Sequence, residues 1–402
     1  MPVKALRFER SLPRFAAARV AGALAPGRGA RPGPLRLADI DPPFVGAPGW
    51  VRVRPRLAGI CGSDLATVDA TSSRWFEPIV SFPFVPGHEV VGDLDDGTRV
   101  VLQPVLGCAA RGITPACGRC ATGQVGQCLN ITFGHLEPGL QTGYCTDTGG
   151  GWSTALTAHE SQLHPVPDDL ADEAAVLVEP TACAIRGAGK VPARTGVVAV
   201  LGAGTLGLAT TAALRHLPGD LPTTVIVAAK HPEQRTLARS LGADLVVEPD
   251  EVARAVRRTT GSMAVGDGGI DRLAGGADVT IDCVGSAATL AQALAVTAPG
   301  GRIVLVGMPG QVDVDLTPLW QRELELVGAY AYGTERDDGP GAGRPTFELA
   351  FDLVRAAGLG RLLSATYPLE RYADAIAHAA EAGRRGAVKI AFDLRNEKER
   401  NR

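Results

Sequence analysis

Hydrophobic positions along this chain follow two rhythms. Up to about residue 180 they fall in short runs that alternate with polar positions and are cut by Pro and Gly. Val3-Lys4-Ala5-Leu6-Arg7-Phe8 and Trp50-Val51-Arg52-Val53-Arg54-Pro55-Arg56-Leu57-Ala58 are the clearest of these runs. A period of two predicts strands with one face in a core, hence a largely β domain. Residues 21–48, rich in Pro, Gly and Ala, predict an elaborated surface loop. From Thr195 the texture changes. Gly196-Val197-Val198-Ala199-Val200-Leu201 is continuously apolar, the pattern of a parallel strand covered on both faces. Apolar runs return at 223–229, 278–284 and 302–306, with a helix-like stretch at 287–297. That alternation predicts a doubly wound parallel sheet. A glycine-rich insertion at 261–269 interrupts it. Past about Tyr332 the chain turns polar, then amphipathic at 347–357, helix-like at 372–382 and apolar again at 387–394.

A chain of 402 residues exceeds one ordinary core, and 45% hydrophobic residues suffice for two. The fold class expected is α/β in two domains. Net charge of −3 provides no long-range basic field, which argues against nucleic acid or an anionic membrane as partner. The longest apolar stretch, 197–214, is broken by Gly202, Gly204 and Gly207 and reads as strand plus helix rather than a membrane span. Arg7, Arg10, Arg14 and Arg19 imitate a transit peptide, but the alternation at the start favours a first strand. Eight cysteines, several clustered, without a signal-type apolar segment, favour metal binding in a reducing, cytoplasmic setting over a disulfide scaffold.

The candidate chemistry begins with Gly59-Ile60-Cys61-Gly62-Ser63-Asp64 and Gly87-His88-Glu89-Val90-Val91-Gly92. A thiolate, an imidazole and a carboxylate are the donors a zinc ion prefers. A second feature is Cys117-Gly118-Arg119-Cys120, then Cys128, with Cys108 upstream. Four cysteines at short spacing in a Gly-rich loop suit a closed tetrahedral structural zinc. Cys108 must reach across residues 109–116 to complete it; the alternative is a decayed lobe with free thiols. Cys145, Cys183 and Cys283 read as small buried hydrophobes. Glu179, in Asp172-Glu173-Ala174-Ala175-Val176-Leu177-Val178-Glu179-Pro180, follows a helix-like run. Finally the strand at Val197 feeds into Gly202-Ala203-Gly204-Thr205-Leu206-Gly207 and an apolar helix, with a further β run beyond. In that context GxGxxG is a dinucleotide-binding fingerprint: Gly202 for the turn, Gly204 for approach of the pyrophosphate, Gly207 for close packing.

Together these phrases resemble the zinc-dependent medium-chain dehydrogenase/reductase family, the alcohol, sorbitol and threonine dehydrogenases, over nearly the whole chain. The resemblance implies a GroES-like, mostly β catalytic domain from 1–185 with 332–402, and a Rossmann domain at 186–331. It implies a catalytic zinc on Cys61, His88 and Glu179, the last as in the Glu-Pro branch, with Glu89 a direct ligand or a neighbour exchanging with water. Asp64 then orients His88, and Ser63 takes the substrate proton. It also implies a homodimer or homotetramer. Two positions depart from the family pattern: Ala66 stands where many relatives have a relay histidine, and Tyr330-Ala331-Tyr332 lacks the arginine of sorbitol dehydrogenases. His135 is the candidate substitute for that histidine, its other reading being a polar loop residue.

The expected activity is hydride transfer between NAD(P) and a secondary alcohol or ketone such as a polyol, sugar or cyclitol. The rivals are elimination or epimerisation with bound nicotinamide, and a catalytically idle zinc protein. Lys230 and His231, not a carboxylate, stand where NAD-specific folds end their second strand, which favours NADP over NAD. Trp75, Phe76, Phe133 and Trp152 are candidate walls of the substrate pocket.

Overall fold

The structure, a computed structural model, describes residues 2–43, 46–217, 222–266, 272–335 and 343–396. The chain forms two compact units, one of Met1–Glu179, Tyr332–Thr334 and Gly358–Arg402, the other of Pro180–Ala331 and Glu335–Ala357. Among the described residues, no helix is long and apolar enough to cross a membrane.

The first unit is built on a seven-stranded sheet. Its main path runs Leu363–Tyr367, Lys389–Asp393, Trp50–Gly59, Val90–Asp93, Arg99–Leu102, Leu163–Pro165, and Leu156–His159 pairs separately with Trp50–Gly59. The alternation of Trp50–Gly59 works as its sequence requires: Val53, Leu57 and Ala58 are buried while Arg52 and Arg54 reach solvent. Trp152 and Phe392 meet edge to face at 5.1 Å, both fully buried. Burial of Phe392 contributes roughly 2–3 kcal/mol.

The expected first strand forms at Val3–Phe8. Residues 21–48, however, are not a continuous loop. A helix, Leu12–Leu24, enters the segment, and Leu35–Ile40 is a strand antiparallel to Val3–Phe8 with Val3 opposite Ile40. Pro13 at the helix start and the alanines after it favour helix locally. The strand is short, and its half-buried positions blur the period-two signal.

The second unit carries a six-stranded sheet whose neighbours all pair parallel. Its order is Leu245–Val247, Thr224–Ala228, Val197–Leu201, Ala277–Asp282, Thr297–Leu305, Glu325–Gly328. The first strand in sequence lies at the centre and the order reverses beside it, the doubly wound arrangement that creates a dinucleotide crevice at the strands' carboxyl ends. Val198, Ala199, Val200 and Leu201 are all buried, as a sheet covered on both faces demands. The glycine-rich insertion at 261–269 lies partly outside the described residues; its described part pairs Ala264–Val265 with Arg272–Leu273.

Candidate metal and dinucleotide sites

Cys61 sits where the Trp50–Gly59 strand gives way to the helix Gly62–Val68, and it is that helix's N-cap. Asp64, at the third helical position, turns back to accept the Cys61 backbone N–H at 3.0 Å, closing a capping box. The same carboxylate is buried and faces His88 Nδ1 at 3.5 Å. Burial raises the Asp64 carboxyl above its ordinary value, against the pull of His88. For His88, burial opposes charging, yet Asp64, Cys61 and Glu179 together hold its pKa well above the usual imidazole value. Its other nitrogen, Nε2, stands 3.5 Å from Ser63 Oγ.

The structure therefore brings half-buried Cys61 and Ser63 together with buried Asp64 and His88, and the Glu179 carboxylate adds negative potential at His88. Glu89 is placed differently. Its carboxylate is ion-paired with the ammonium of Lys389, and both side chains are almost completely buried. Neither Lys389 nor its pairing is foreseen above; the one sequence signal is a lone lysine inside the apolar run at 387–394.

The position Ala66 offers no relay group, but hydroxyls gather beside it. Thr67 Oγ1 lies 3.1 Å from Ser72 Oγ and 3.2 Å from the Tyr144 hydroxyl, which donates to Asp64 at 3.4 Å. His135 is not among them; its ring packs edge-on against Trp50 at 6.2 Å. Trp152 is not a pocket wall either, since it is wholly buried and donates its indole N–H to the Gly59 carbonyl at 3.2 Å. Trp75 and Phe133 are exposed.

In the second metal candidate, ligand atoms of Cys108, Cys117, Cys120 and Cys128 lie within 4.8 Å of one another. No other group of three or more His, Cys, Asp or Glu residues gathers as closely among the described residues. Residues 109–116 fold back on themselves, with Arg111 N–H donating to the Gly107 carbonyl and Ile113 N–H to that of Cys108, and this brings Cys108 to the others. The sulfurs accept N–H groups as thiolates do: Cys108 from Cys117 N at 3.3 Å and from Asn130 Nδ2 at 3.3 Å, Cys128 from Asn130 N at 3.3 Å. Backbone N–H groups of Leu129 and Cys120 hold the Cys117 thiol down at about 6, while burial drives Cys120 and Cys128 upward. All four are free of disulfides. Four sulfurs this close are compatible as thiolates only around a cation, and the donor set fits a structural zinc.

The Arg111 side chain, fully buried, binds the lobe together by donating to the carbonyls of Leu106, Phe133, Leu136, Glu137 and Gly139. A lone arginine in a loop reads as solvated, so this role was not visible in sequence.

The dinucleotide fingerprint lies at the end of the central strand. Gly202 has φ of +93°, and the helix Thr205–His216 starts three residues on. A Cβ at Gly207 would run into the Gly202 carbonyl, whereas one at Gly204 would meet nothing within 4 Å. The protein thus packs tightly at Gly207 and leaves the approach to Gly204 and the helix N-terminus open, as a pyrophosphate requires. After the strand Thr224–Ala228 comes buried Ala229, then Lys230, exposed, and His231, half-exposed. Arg235 donates to the Lys230 carbonyl at 3.1 Å and pairs with Glu248 at 3.0 Å.

Comparison with known proteins finds two family models along the chain. Residues 47–168 match the alcohol dehydrogenase GroES-like domain, and residues 205–358 match the zinc-binding dehydrogenase domain. A sorbitol dehydrogenase of Arabidopsis thaliana is 30% identical over 316 residues, 74% of this chain and 78% of the relative. An L-idonate 5-dehydrogenase of Vitis vinifera is 27% identical over 379 residues, 90% and 92% of the two chains. A zinc-binding dehydrogenase structure from Sinorhizobium meliloti 1021, bound to NADP, shares the fold with a TM-score of 0.68 at 24% identity, covering 98% of this chain and 99% of its own. With a GroES-like unit, a Rossmann unit and these relatives, the chain belongs to the zinc-dependent medium-chain dehydrogenase/reductase family.

Proposed function

We infer that this protein transfers a hydride between a nicotinamide dinucleotide and the carbinol carbon of a secondary alcohol, with a polyol, sugar or cyclitol as the substrate class. The observation that carries the reading is the cluster of half-buried Cys61 and Ser63 with buried His88 and Asp64, to which Glu179 adds its charge. Cys61, His88 and Glu179 are the residues that would hold the catalytic zinc, and Cys108, Cys117, Cys120 and Cys128 the structural one. When bound, the zinc supplies Lewis acidity that makes an alcohol hydroxyl far easier to deprotonate, and the nicotinamide supplies the hydride acceptor. Asp64 fixes the His88 ring by facing Nδ1, which leaves Nε2 directed into the site. Ser63 Oγ takes the hydroxyl proton, and the hydroxyls of Tyr144, Thr67 and Ser72 continue away from the site where Ala66 provides nothing. In the other unit, Gly204 and the N–H groups opening Thr205–His216, Leu206 among them, receive the pyrophosphate.

Lys230 and His231 favour NADP: an ammonium attracts the 2′-phosphate that a carboxylate at this place would repel. The exposed Leu316, Trp320 and Leu326, beside the sheet's edge strand Glu325–Gly328, support a homodimer or homotetramer built through that edge, in a cytoplasmic enzyme. The test is a fluorescence titration of zinc-loaded protein with NADPH and NADH. NADPH should bind more tightly, and Lys230→Asp should reverse the order; equal affinities before and after the substitution contradict the assignment of Lys230.

A further inference from the structure

The ion pair of Glu89 and Lys389 is the least expected feature of the catalytic unit. Three neighbouring strands make it. Ala391 stands opposite Gly59, and Ile60 N–H donates to the Ile390 carbonyl at 2.9 Å, which sets Lys389 beside Cys61. On the other side Ala58 pairs with Val90 and Gly59 N–H donates to the Glu89 carbonyl at 2.8 Å. The two side chains then meet over Gly59. A Cβ at that position would collide with Glu89 Oε2 and would stand 2.9 Å from Lys389 Cε. The glycine before Cys61 thus makes room for the pair. Lys389 Nζ is held from the far side as well, by the Ile60 carbonyl at 3.1 Å. Exposure of the Lys389 and Glu89 side chains is 3% and 1%.

The charges explain what such a pair does. A thiolate at Cys61 and a carboxylate at Glu179 match a divalent cation, which leaves two further carboxylates, Asp64 and Glu89; Asp64 is held by the Cys61 N–H and faces His88, so Glu89 is the one whose partner is Lys389. An unmatched carboxylate buried beside a dication goes to it. We propose that Lys389 is a positioning residue that withholds Glu89 from the metal, so that a coordination position stays open for substrate. The proposal rests on Cys61, His88 and Glu179 being the metal ligands. Lys389 supplies the matching charge, the strand register fixes its position, and Glu89 remains a neighbour of the site.

The test uses the full-length protein loaded with cobalt(II), whose visible d–d bands report coordination number, and azide as probe of the open position. Glu89→Gln should leave the spectrum and azide affinity of wild type unchanged. Lys389→Met should give the weaker bands of a higher coordination number and lower azide affinity by about tenfold or more. The double variant Glu89→Gln/Lys389→Met, which buries no unpaired charge, should restore both, and Lys389→Arg should retain both. The cysteine cluster contributes equally to every spectrum and cancels in the differences. A Lys389→Met protein with wild-type spectrum and azide affinity overturns the proposal. So does a changed spectrum in Glu89→Gln alone, which decides the matter even where Lys389→Met does not fold. A Cys61→Ser protein that binds as much cobalt as wild type overturns the ligand reading itself, and with it the role of Lys389.

Discussion

Arg111 offers the sharpest energetic prediction in the molecule. Its guanidinium is fully buried, forms no ion pair among the described residues, feels Asp147 only at longer range, and donates to five backbone carbonyls at 2.6 to 3.4 Å. These carbonyls belong to Leu106, just before Cys108, and to residues 133–139, just after Cys128, so one side chain spans both ends of the cysteine lobe. A lysine retains the charge but has three donors. At least two of the five carbonyls then lose their partner, at about 1–3 kcal/mol for each buried one (Leu106, Leu136, Gly139) and less for the part-exposed Phe133 and Glu137, or about 2 kcal/mol together. Methionine leaves all five without a donor and costs more. Urea unfolding of zinc-loaded Arg111→Lys and Arg111→Met, with zinc release to a chromogenic chelator followed in parallel, measures the effect. Both variants should unfold at lower urea and release zinc faster, methionine more than lysine. An Arg111→Lys protein within about 0.5 kcal/mol of wild type, releasing zinc at the same rate, would refute the reasoning.

Three further outcomes follow from other parts of the structure. Burial lowers the pKa of His164, whose Nε2 lies 2.8 Å from Gln103 Oε1, to about 4. The unfolded chain takes up this proton first, so stability falls as pH drops from about 6.5 towards 4, by about 2 kcal/mol between pH 7 and pH 5. Denaturation of wild type and His164→Gln at the two pH values isolates that loss, which the variant should lack. In the fingerprint, Gly207→Ala should destabilise the second unit by about 2–3 kcal/mol, because its methyl meets the Gly202 carbonyl. Gly204→Ala meets no protein atom and should lose only the modest N-cap preference of glycine, well under the cost of Gly207→Ala, while binding NADPH more weakly. A Gly204→Ala protein with unchanged NADPH affinity would count against pyrophosphate binding there.

The parts of this protein that were legible from its sequence are those whose signal is local. Period-two alternation at Val3 and Trp50, the continuous apolar run at Val197 and the strand–GxGxxG–helix order each encode one element and its neighbour. The four cysteines were legible as one group, Cys108 included, although the path by which Cys108 reaches the others depends on how residues 109–116 turn back. Two buried charges stayed hidden for a common reason. Lys389 and Arg111 look like solvated surface residues in sequence, and what buries them is brought from elsewhere. For Lys389 this is Glu89 and the Ile60 carbonyl, far away in the chain; for Arg111 it is five carbonyls spread along a folded loop. The strand Leu35–Ile40 was missed because its pairing with Val3–Phe8, not its own composition, makes it a strand.

The central claim is that Cys61, His88 and Glu179 hold the zinc on which alcohol oxidation depends. The most direct test compares zinc-loaded wild type with Cys61→Ser in oxidation of polyols, sugar alcohols and other secondary alcohols, following reduced nicotinamide with NADP and NAD and measuring zinc content. The account predicts that wild type reduces the nucleotide. The variant should keep the zinc of the cysteine cluster, lose the other and lose the activity. A Cys61→Ser protein that oxidises the same alcohol at the wild-type rate contradicts it.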